Sequence, residues 1–277
     1  MANDLKWNII FRACDCVEAA HKMPRPFNLN KRELIKVCFH SLFTALQGCN
    51  FEITIVGDRL SQETLNFFAH YPIKNYILGE FNNEKSLRKC YEFATTLPDS
   101  EWVYFCEDDY LHKPSCMAIV NEFINNKQQY LSHERCKKTL YLPLSSGNFN
   151  DMPLIIFPSD YPDRYQKKGK VPSYLFLSKH CHWRQIKNLT LTNMLKVATF
   201  KQYQKIFFKA MTHDGELGKH LFASFFLKNK ALALSPIPGL TSHMHVETMS
   251  VLDDWRQHYL NTKENMSIDS ALTASFK

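Results

Sequence analysis

Through its first half the sequence switches repeatedly between helical and strand periodicity, and that alternation limits the fold more than any other feature. Residues 7–12 are an apolar run that reads as a strand, and residues 51–56 are a second, ending at Gly57-Asp58. Between them Asn30 stands where a helix N-cap would, with Glu33 three positions on, close to a capping box. Leu34, Val37, Cys38, Leu42, Ala45 and Leu46 then follow at helical spacing. Ser61 is placed to cap a short helix, residues 74–78 supply a third strand, and a helix over 84–96 sets Leu87, Cys90, Tyr91 and Ala94 on one face. Residues 101–106 form an apolar strand that runs straight into Glu107-Asp108-Asp109. Strands alternating with helices predict an α/β fold whose mostly parallel sheet is covered on both faces. Ligands of such sheets bind beyond the carboxyl ends of the strands, where Asp58 and the acidic triplet both stand.

The second half is less regular. Residues 139–144, 154–158 and 173–178 read as strands, with a polar, proline-containing loop over 159–171 that is able to cover a site. Residues 182–210 read as helical with a break near 190–192. A helix over 216–228 puts Leu217, His220, Leu221, Ser224 and Phe225 on one face, and residues 231–234 supply a last strand. From about residue 253 the chain turns polar and reads as a C-terminal arm. The expected organisation is one domain over 1–252, with residues 1–115 as its nucleotide-binding half and 116–252 as its acceptor-binding half, followed by the arm, 253–277.

Composition narrows the setting. A chain of 277 residues with 45% apolar and 22% charged residues can bury a sizeable core, and only 8 glycines against 21 phenylalanines argue against linkers. No apolar run reaches the roughly 18 residues that span a bilayer, and the N-terminus shows no basic-then-apolar leader. The chain therefore reads as cytoplasmic, with no transmembrane segment and peripheral membrane contact left open. Of the nine cysteines, Cys38, Cys90 and Cys106 fall in apolar stripes as small buried hydrophobes, and no Cys/His set has zinc spacing. The net charge of +7 is dispersed, its tightest group being Lys167, Lys168 and Lys170, which favours small anionic substrates over nucleic acid.

Three consecutive carboxylates repel one another, a cost that a cation or water relieves. Their oxygens suit Mg²⁺ or Mn²⁺, which take one or two protein carboxylates together with substrate phosphates. The plain alternative is a solvated acidic turn after a buried strand. His213-Asp-Gly-Glu216, just before a predicted helix, offers Asp214 and Glu216 either as N-terminal capping and first-turn acids or as a base for a hydroxyl nucleophile.

Phe105-Cys-Glu-Asp-Asp-Tyr-Leu111 resembles the DxD region of GT-A-fold glycosyltransferases, particularly the broad family 2 type, and Gly79-Glu-Phe-Asn-Asn-Glu-Lys-Ser-Leu-Arg88 resembles the segment that opens the helix before that motif. The match covers residues 5–115 in order and spacing, and the rest more loosely. It implies a Rossmann-like, mostly parallel central sheet flanked by helices, with a smaller mixed sheet on the acceptor side. It also implies a metal-dependent transfer of sugar from a UDP-, GDP- or dTDP-sugar to a hydroxyl of a glycan, a lipid-linked sugar or a protein. Asp109 becomes the principal Mn²⁺ or Mg²⁺ ligand, Glu107 its assistant in place of the usual first aspartate, and Asp108 a partner of the donor ribose or sugar. Ala13, Asp15 and Asp58 become nucleotide-binding positions, and Lys85 and Arg88 touch the nucleotide or diphosphate. Asp214, or second Glu216, becomes the catalytic base of an inverting displacement, with retention left open. A late histidine, His243 or His245 in Ser242-His243-Met-His245, becomes a metal or diphosphate ligand, and only one of them should face the site if the segment is extended. Trp183 and Trp255 are candidates for stacking on a sugar, with core packing as the default.

A sugar nucleotidyltransferase shares the alternating topology, but its glycine-rich basic loop after the first strand is replaced here by Ala13-Cys-Asp-Cys-Val-Glu-Ala. A non-catalytic carbohydrate- or protein-binding module on the same fold is the other alternative.

Overall fold

The structure, a computed structural model, describes residues 5–15, 25–132, 136–138, 149–166, 173–212, 215–222 and 230–275. Its first half follows the predicted alternation: β1 (Lys6–Cys14), α1 (Lys31–Ala45), β2 (Asn50–Asp58), α2 (Gln62–Phe68), β3 (Ile73–Gly79), α3 (Asn83–Thr95) and β4 (Trp102–Glu107). The helix starts are where the polar residues put them. Asn30, Ser61 and Asn82 each cap a helix, their side chains accepting from the backbone N–H of Glu33, Thr64 and Lys85. After β4 come β5 (Tyr110–His112), α4 (Cys116–Asn125), α5 (Lys127–Tyr130), β6 (Cys136–Lys138), β7 (Leu154–Ile156), β8 (Tyr174–Leu177), β9 (His182–Ile186) and β10 (Asn193–Lys196). The chain continues with α6 (Val197–Lys209), α7 (Gly215–Leu221), β11 (Leu232–Ile237), β12 (Thr241–His243) and α8 (Trp255–Ser275).

Ten strands form one sheet in the order β3-β2-β1-β4-β10-β7-β11-β9-β8-β6, and β12 pairs with β5 in a separate small sheet. The expected mixed α/β architecture, a large sheet flanked by helices, is present. β3, β2, β1 and β4 are mutually parallel, whereas β10 runs antiparallel to both β4 and β7 and the remaining strands are mixed. β1, β2 and β4 are largely buried on both faces because helices cover both, whereas the edge strand β3 alternates between half-buried and exposed residues. Phe11 meets Phe39 of α1 and Phe68 of α2 edge-on, and Phe105 of β4 meets Tyr91 of α3 and Phe200 of α6.

Several expectations change here. Residues 182–196 are two short strands rather than the first part of a helix, because they sit inside the sheet between fixed neighbours; only 197–209 is helical. Cross-strand partners outweigh the weak helical period of such a short stretch. The polar C-terminal segment is the helix α8, whose Trp255 and Tyr259 are buried against the α1 side of the molecule. Trp183 is also fully buried, packed on Phe123, so both tryptophans belong to the core. Cys38, Cys90 and Cys106 are buried free thiols, as their spacing predicted. The strand expected over 139–144 and the lysines of 167–170 lie outside the described residues. No helix among the described residues is long and apolar enough to cross a membrane.

Candidate active site

β1 has β2 on one side and β4 on the other, so the topological switch point, the crevice where ligands of such sheets bind, falls at the carboxyl ends of β1 and β4. The parallel register sets Arg12 directly across from Glu107. Its guanidinium donates to Glu107 Oε1, and its other nitrogen to Asn83 Oδ1 (2.6 Å) and Ser86 Oγ (3.2 Å) at the start of α3. Thr192, just before β10, accepts from the Glu107 N–H and donates to Glu107 Oε2, both at 3.2 Å. Burial pushes the Glu107 carboxyl up despite the adjacent Arg12 charge.

Asp108 is likewise engaged. Its Oδ2 accepts from the Cys14 N–H at the end of β1 (2.9 Å), and its Oδ1 accepts from Lys31 Nζ in the first turn of α1 (2.5 Å). Asp108 thus ties β1, α1 and β4 together.

Asp109 is different. Its backbone carbonyl accepts from the Met244 N–H (2.7 Å), and its Oδ2 lies 3.1 Å from His243 Nε2. Its Oδ1 is buried and has no hydrogen-bond partner among the described residues. An unmatched buried polar atom of this kind costs about 1–3 kcal/mol, and more when charged. Burial opposes the charged form of Asp109, yet the His243 charge and hydrogen bond, with Lys31 behind them, hold the carboxyl well below the usual carboxylate range. The same pairing raises His243 against the burial that would lower it.

The small sheet puts His243 there. β5 leaves the acidic triplet at once, and its pairing with β12 sets His243 across from Tyr110, one residue beyond Asp109. The Tyr110 ring stacks on the imidazole (4.9 Å between centroids, 15° between planes), and Tyr161 lies near-parallel to it at 6.1 Å. The Tyr110 hydroxyl meets those of Tyr161 (2.5 Å) and Thr190 (3.2 Å). Thr248 Oγ1 is 2.6 Å from His243 Nδ1, so the ring is gripped on its far nitrogen and its Nε2 is aimed at Asp109. Beyond His243 the chain turns, with Thr248 and Met249 donating to the His245 carbonyl. The segment is therefore not extended through His245, whose ring stacks on that of His243 at 5.7 Å instead of facing away.

Among the described residues no three His, Cys, Asp or Glu side chains gather as a metal-holding group. Asp109 offers one unmatched carboxylate oxygen, and His243 one imidazole nitrogen once its Nε2 proton is displaced. That donor set fits Mn²⁺ or Mg²⁺ when ligand phosphates supply the remaining positions, and it is too small for a structural zinc.

The other predicted positions fall elsewhere. The Asp15 side chain accepts from the Ser61 N–H (3.0 Å), Ser61 Oγ (2.6 Å) and Thr64 Oγ1 (2.5 Å), fastening the end of β1 to the start of α2. Ala13 is buried opposite Gly57. Asp58 receives both arms of Arg59 at 3.0 Å and the Phe81 N–H at 2.6 Å. Arg59 has left-handed backbone (φ 49°), which folds its side chain back onto Asp58. Burial raises the Asp58 pKa, but these donors outweigh it and the net shift is downward. Lys85 and Arg88 are exposed on α3, with Arg88 3.5 Å from Glu84. Asp214 lies outside the described residues, and Glu216 is described only as a backbone position in the first turn of α7.

Arg12, Lys31, Thr192 and Thr248 shape this site and were not singled out in the sequence. Two of them left a signal. Arg12 is a cation inside an apolar strand, and Lys31 opens a helix where the dipole disfavours positive charge, so each implies a nearby anion. Nothing in the sequence marks the threonines.

No protein-family profile matches the chain, and no curated protein matches it. Solved structures with a similar fold include 4-diphosphocytidyl-2C-methyl-D-erythritol synthase from Anaerococcus prevotii, 10% identical over 96% of this chain and 98% of that one, with a TM-score of 0.44. TarS of S. aureus (residues 1–349) is 14% identical over 83% of this chain and 60% of that one, with a TM-score of 0.43. The galactosyltransferase LgtC is 10% identical over 76% and 68%, with a TM-score of 0.41.

Proposed function

We propose that this chain is a divalent-cation-dependent glycosyltransferase that moves a sugar from a UDP-, GDP- or dTDP-sugar to an acceptor hydroxyl with inversion. One observation carries the reading: Asp109 pairs with His243 through one carboxylate oxygen and keeps the other buried and unmatched, at the crevice end of β4. Mn²⁺ or Mg²⁺ held there would neutralise the charge that builds on a departing nucleoside diphosphate.

The protein's own residues divide the remaining work. Asp109 and His243 would hold the ion, and Thr248 and Tyr110 keep the imidazole in line. Glu107, restrained by Arg12, would add negative charge beside Asp109 and assist the ion directly or through water. Asp108 and Lys31 brace the crevice wall. A hydroxyl is a weak nucleophile at neutral pH, so a carboxylate must take its proton as attack proceeds. Asp214, or second Glu216, is the candidate for that role from its place in the sequence. The acceptor is a glycan, a lipid-linked sugar or a protein side chain.

The test is a panel of nucleotide sugars incubated with the full chain and Mn²⁺, read by thermal shift and donor hydrolysis, with and without EDTA. One nucleotide class should stabilise the protein and be hydrolysed only with the metal. Formation of a nucleotide sugar and pyrophosphate from a nucleoside triphosphate and a sugar 1-phosphate would replace glycosyl with nucleotidyl transfer. Stabilisation by none of the panel would end the reading.

A further inference from the structure

Past β7 the chain gathers charges that the Asp109–His243 pair does not use. Pro162–Tyr165 is a single 3₁₀ turn, and its Arg164 folds inward. One guanidinium nitrogen, Nη1, donates to the Ser159 carbonyl (2.8 Å) and to Ser235 Oγ. The guanidinium carbon lies over the rings of Phe157 and Tyr161, at 4.7 and 5.5 Å from their centroids. The register of β9 against β11 sets Arg184 directly across from Ser235, so a second arginine converges on the same serine. Arg184 lies over the Tyr165 ring at 4.3 Å and reaches Asp160 Oδ1 at 3.4 Å, while the Tyr165 hydroxyl donates to Asp160 Oδ2.

These charges do not balance. Among the described residues the fully buried Asp160 is the only carboxylate within ion-pair distance of either arginine, and it pairs with Arg184. Arg164 is left with a carbonyl, a hydroxyl and two ring faces, which accept from it without cancelling its charge. Asp163 of the same turn is exposed and therefore screened by water. Largely buried cations are ordinarily paired. Burial disfavours the Arg164 charge, Asp160 and Asp163 offset part of that, and the neighbouring Arg184 adds to the deficit. The Nε and Nη2 groups of Arg164 donate to no described residue and are not sealed from water. They are donors in want of an acceptor.

Their place relates them to the candidate site. The Tyr161 ring, which carries Arg164 against it, also lies near-parallel to that of His243, and its hydroxyl meets that of Tyr110. The Asp160 N–H donates to Ser250 Oγ (3.0 Å) and the Val251 N–H to the Asp160 carbonyl (3.3 Å), so the turn is fastened to the segment that follows His243. The two arginines thus stand one aromatic ring away from the imidazole.

We propose that Arg164 and Arg184 form an oxyanion-binding subsite beside the Asp109–His243 pair, and that the acceptor is an acidic sugar whose carboxylate or phosphate they receive. A guanidinium fork matches the paired oxygens of either group. Calling the ligand an acceptor rests on the glycosyltransferase reading; the anion subsite does not. The test is NMR titration of the ¹⁵N-labelled full chain, in EDTA and without nucleotide, with glucose 6-phosphate, glucuronate and glucose, following the arginine Nε–H signals. At least one acidic sugar should shift them saturably, the tighter of the two separating phosphate from carboxylate, and glucose should leave them unmoved. Arg164→Gln should weaken that binding at least about tenfold. Arg184→Gln, at a side chain 15% exposed, gives a second removal should the first variant fail to fold. Arg256→Gln, exposed on α8, should bind as wild type does. No saturable shift with either acidic sugar, or undiminished binding in folded Arg164→Gln and Arg184→Gln, overturns the subsite. Because metal and donor are left out, that result leaves the Asp109–His243 reading untouched, and failure of the nucleotide-sugar panel leaves the anion subsite standing.

Discussion

The two flanks of the β4 terminus handle their carboxylates in opposite ways. On the α1–α3 flank both oxygens of each acid are engaged: Asp15 by Ser61 and Thr64, Asp58 by Arg59 and Phe81, Asp108 by Cys14 and Lys31. Each joins the end of one strand to the start of the next element, so they act as fasteners. On the β5–β12 flank Asp109 keeps one oxygen unmatched and faces an imidazole fixed by Tyr110 and Thr248. Buried polar groups in stable proteins are satisfied. Among the described residues the one strand-end acid that departs from this rule is therefore where chemistry is to be sought, and acids with both oxygens engaged are where stability is stored.

That contrast can be broken by substitution. The largest effect should come from Asp109→Asn, which keeps shape but removes the charge that binds an ion. Metal-dependent donor hydrolysis should fall about a thousandfold, or about 4 kcal/mol of transition-state stabilisation, while the urea midpoint stays near wild type. If the variant instead unfolds easily, Asp109 is one more fastener. Asp15→Ala should do the reverse and cost about 2–4 kcal/mol in urea unfolding, because three donors lose a buried acceptor. A midpoint equal to wild type would show that the bonds to Ser61 and Thr64 contribute nothing.

Thr248→Val sharpens the β12 side. Without the hydroxyl on Nδ1 the His243 ring loses its orientation, and Mn²⁺ affinity measured by calorimetry with nucleoside diphosphate present should drop about 10- to 100-fold. An unchanged affinity would remove His243 from the ligand set. The smallest effect is the acid response of the fastening flank. Asp58 has a folded pKa below its unfolded one, so its stabilisation is present above the unfolded value and is lost as pH falls through the folded value. Between pH 5 and about pH 2 the urea midpoint should therefore fall less in Asp58→Asn than in wild type. Equal falls would mean that Asp58 is not held in its charged form by Arg59.

Much of the parallel half was legible because its signals are local. Asn30 and Ser61 cap where the polar residues said they would, and the strand that ends in Glu107 ends there because the apolar run does. The second half was harder. β9 and β10 are five and four residues long, too short for a period to declare itself, and their identity depends on β11, β4 and β7 alongside. Within the site, the sequence offered seven acids and two histidines, and only a resemblance put Asp109 first among the metal ligands. It had no means of knowing that Arg59 would claim Asp58 or that Ser61 would claim Asp15, since both are settled by side-chain packing across strand ends.

By itself the sequence determined the alternation of strands and helices, the buried apolar faces and the placing of three carboxylates at a strand tip. All of these follow from periodicity and propensity acting over a few neighbouring residues. Only the tertiary structure decided which carboxylate stays open and which histidine reaches it. Asp109 and His243 are 134 positions apart and meet through the register of two three-residue strands, a choice made by long-range pairing that no local pattern encodes.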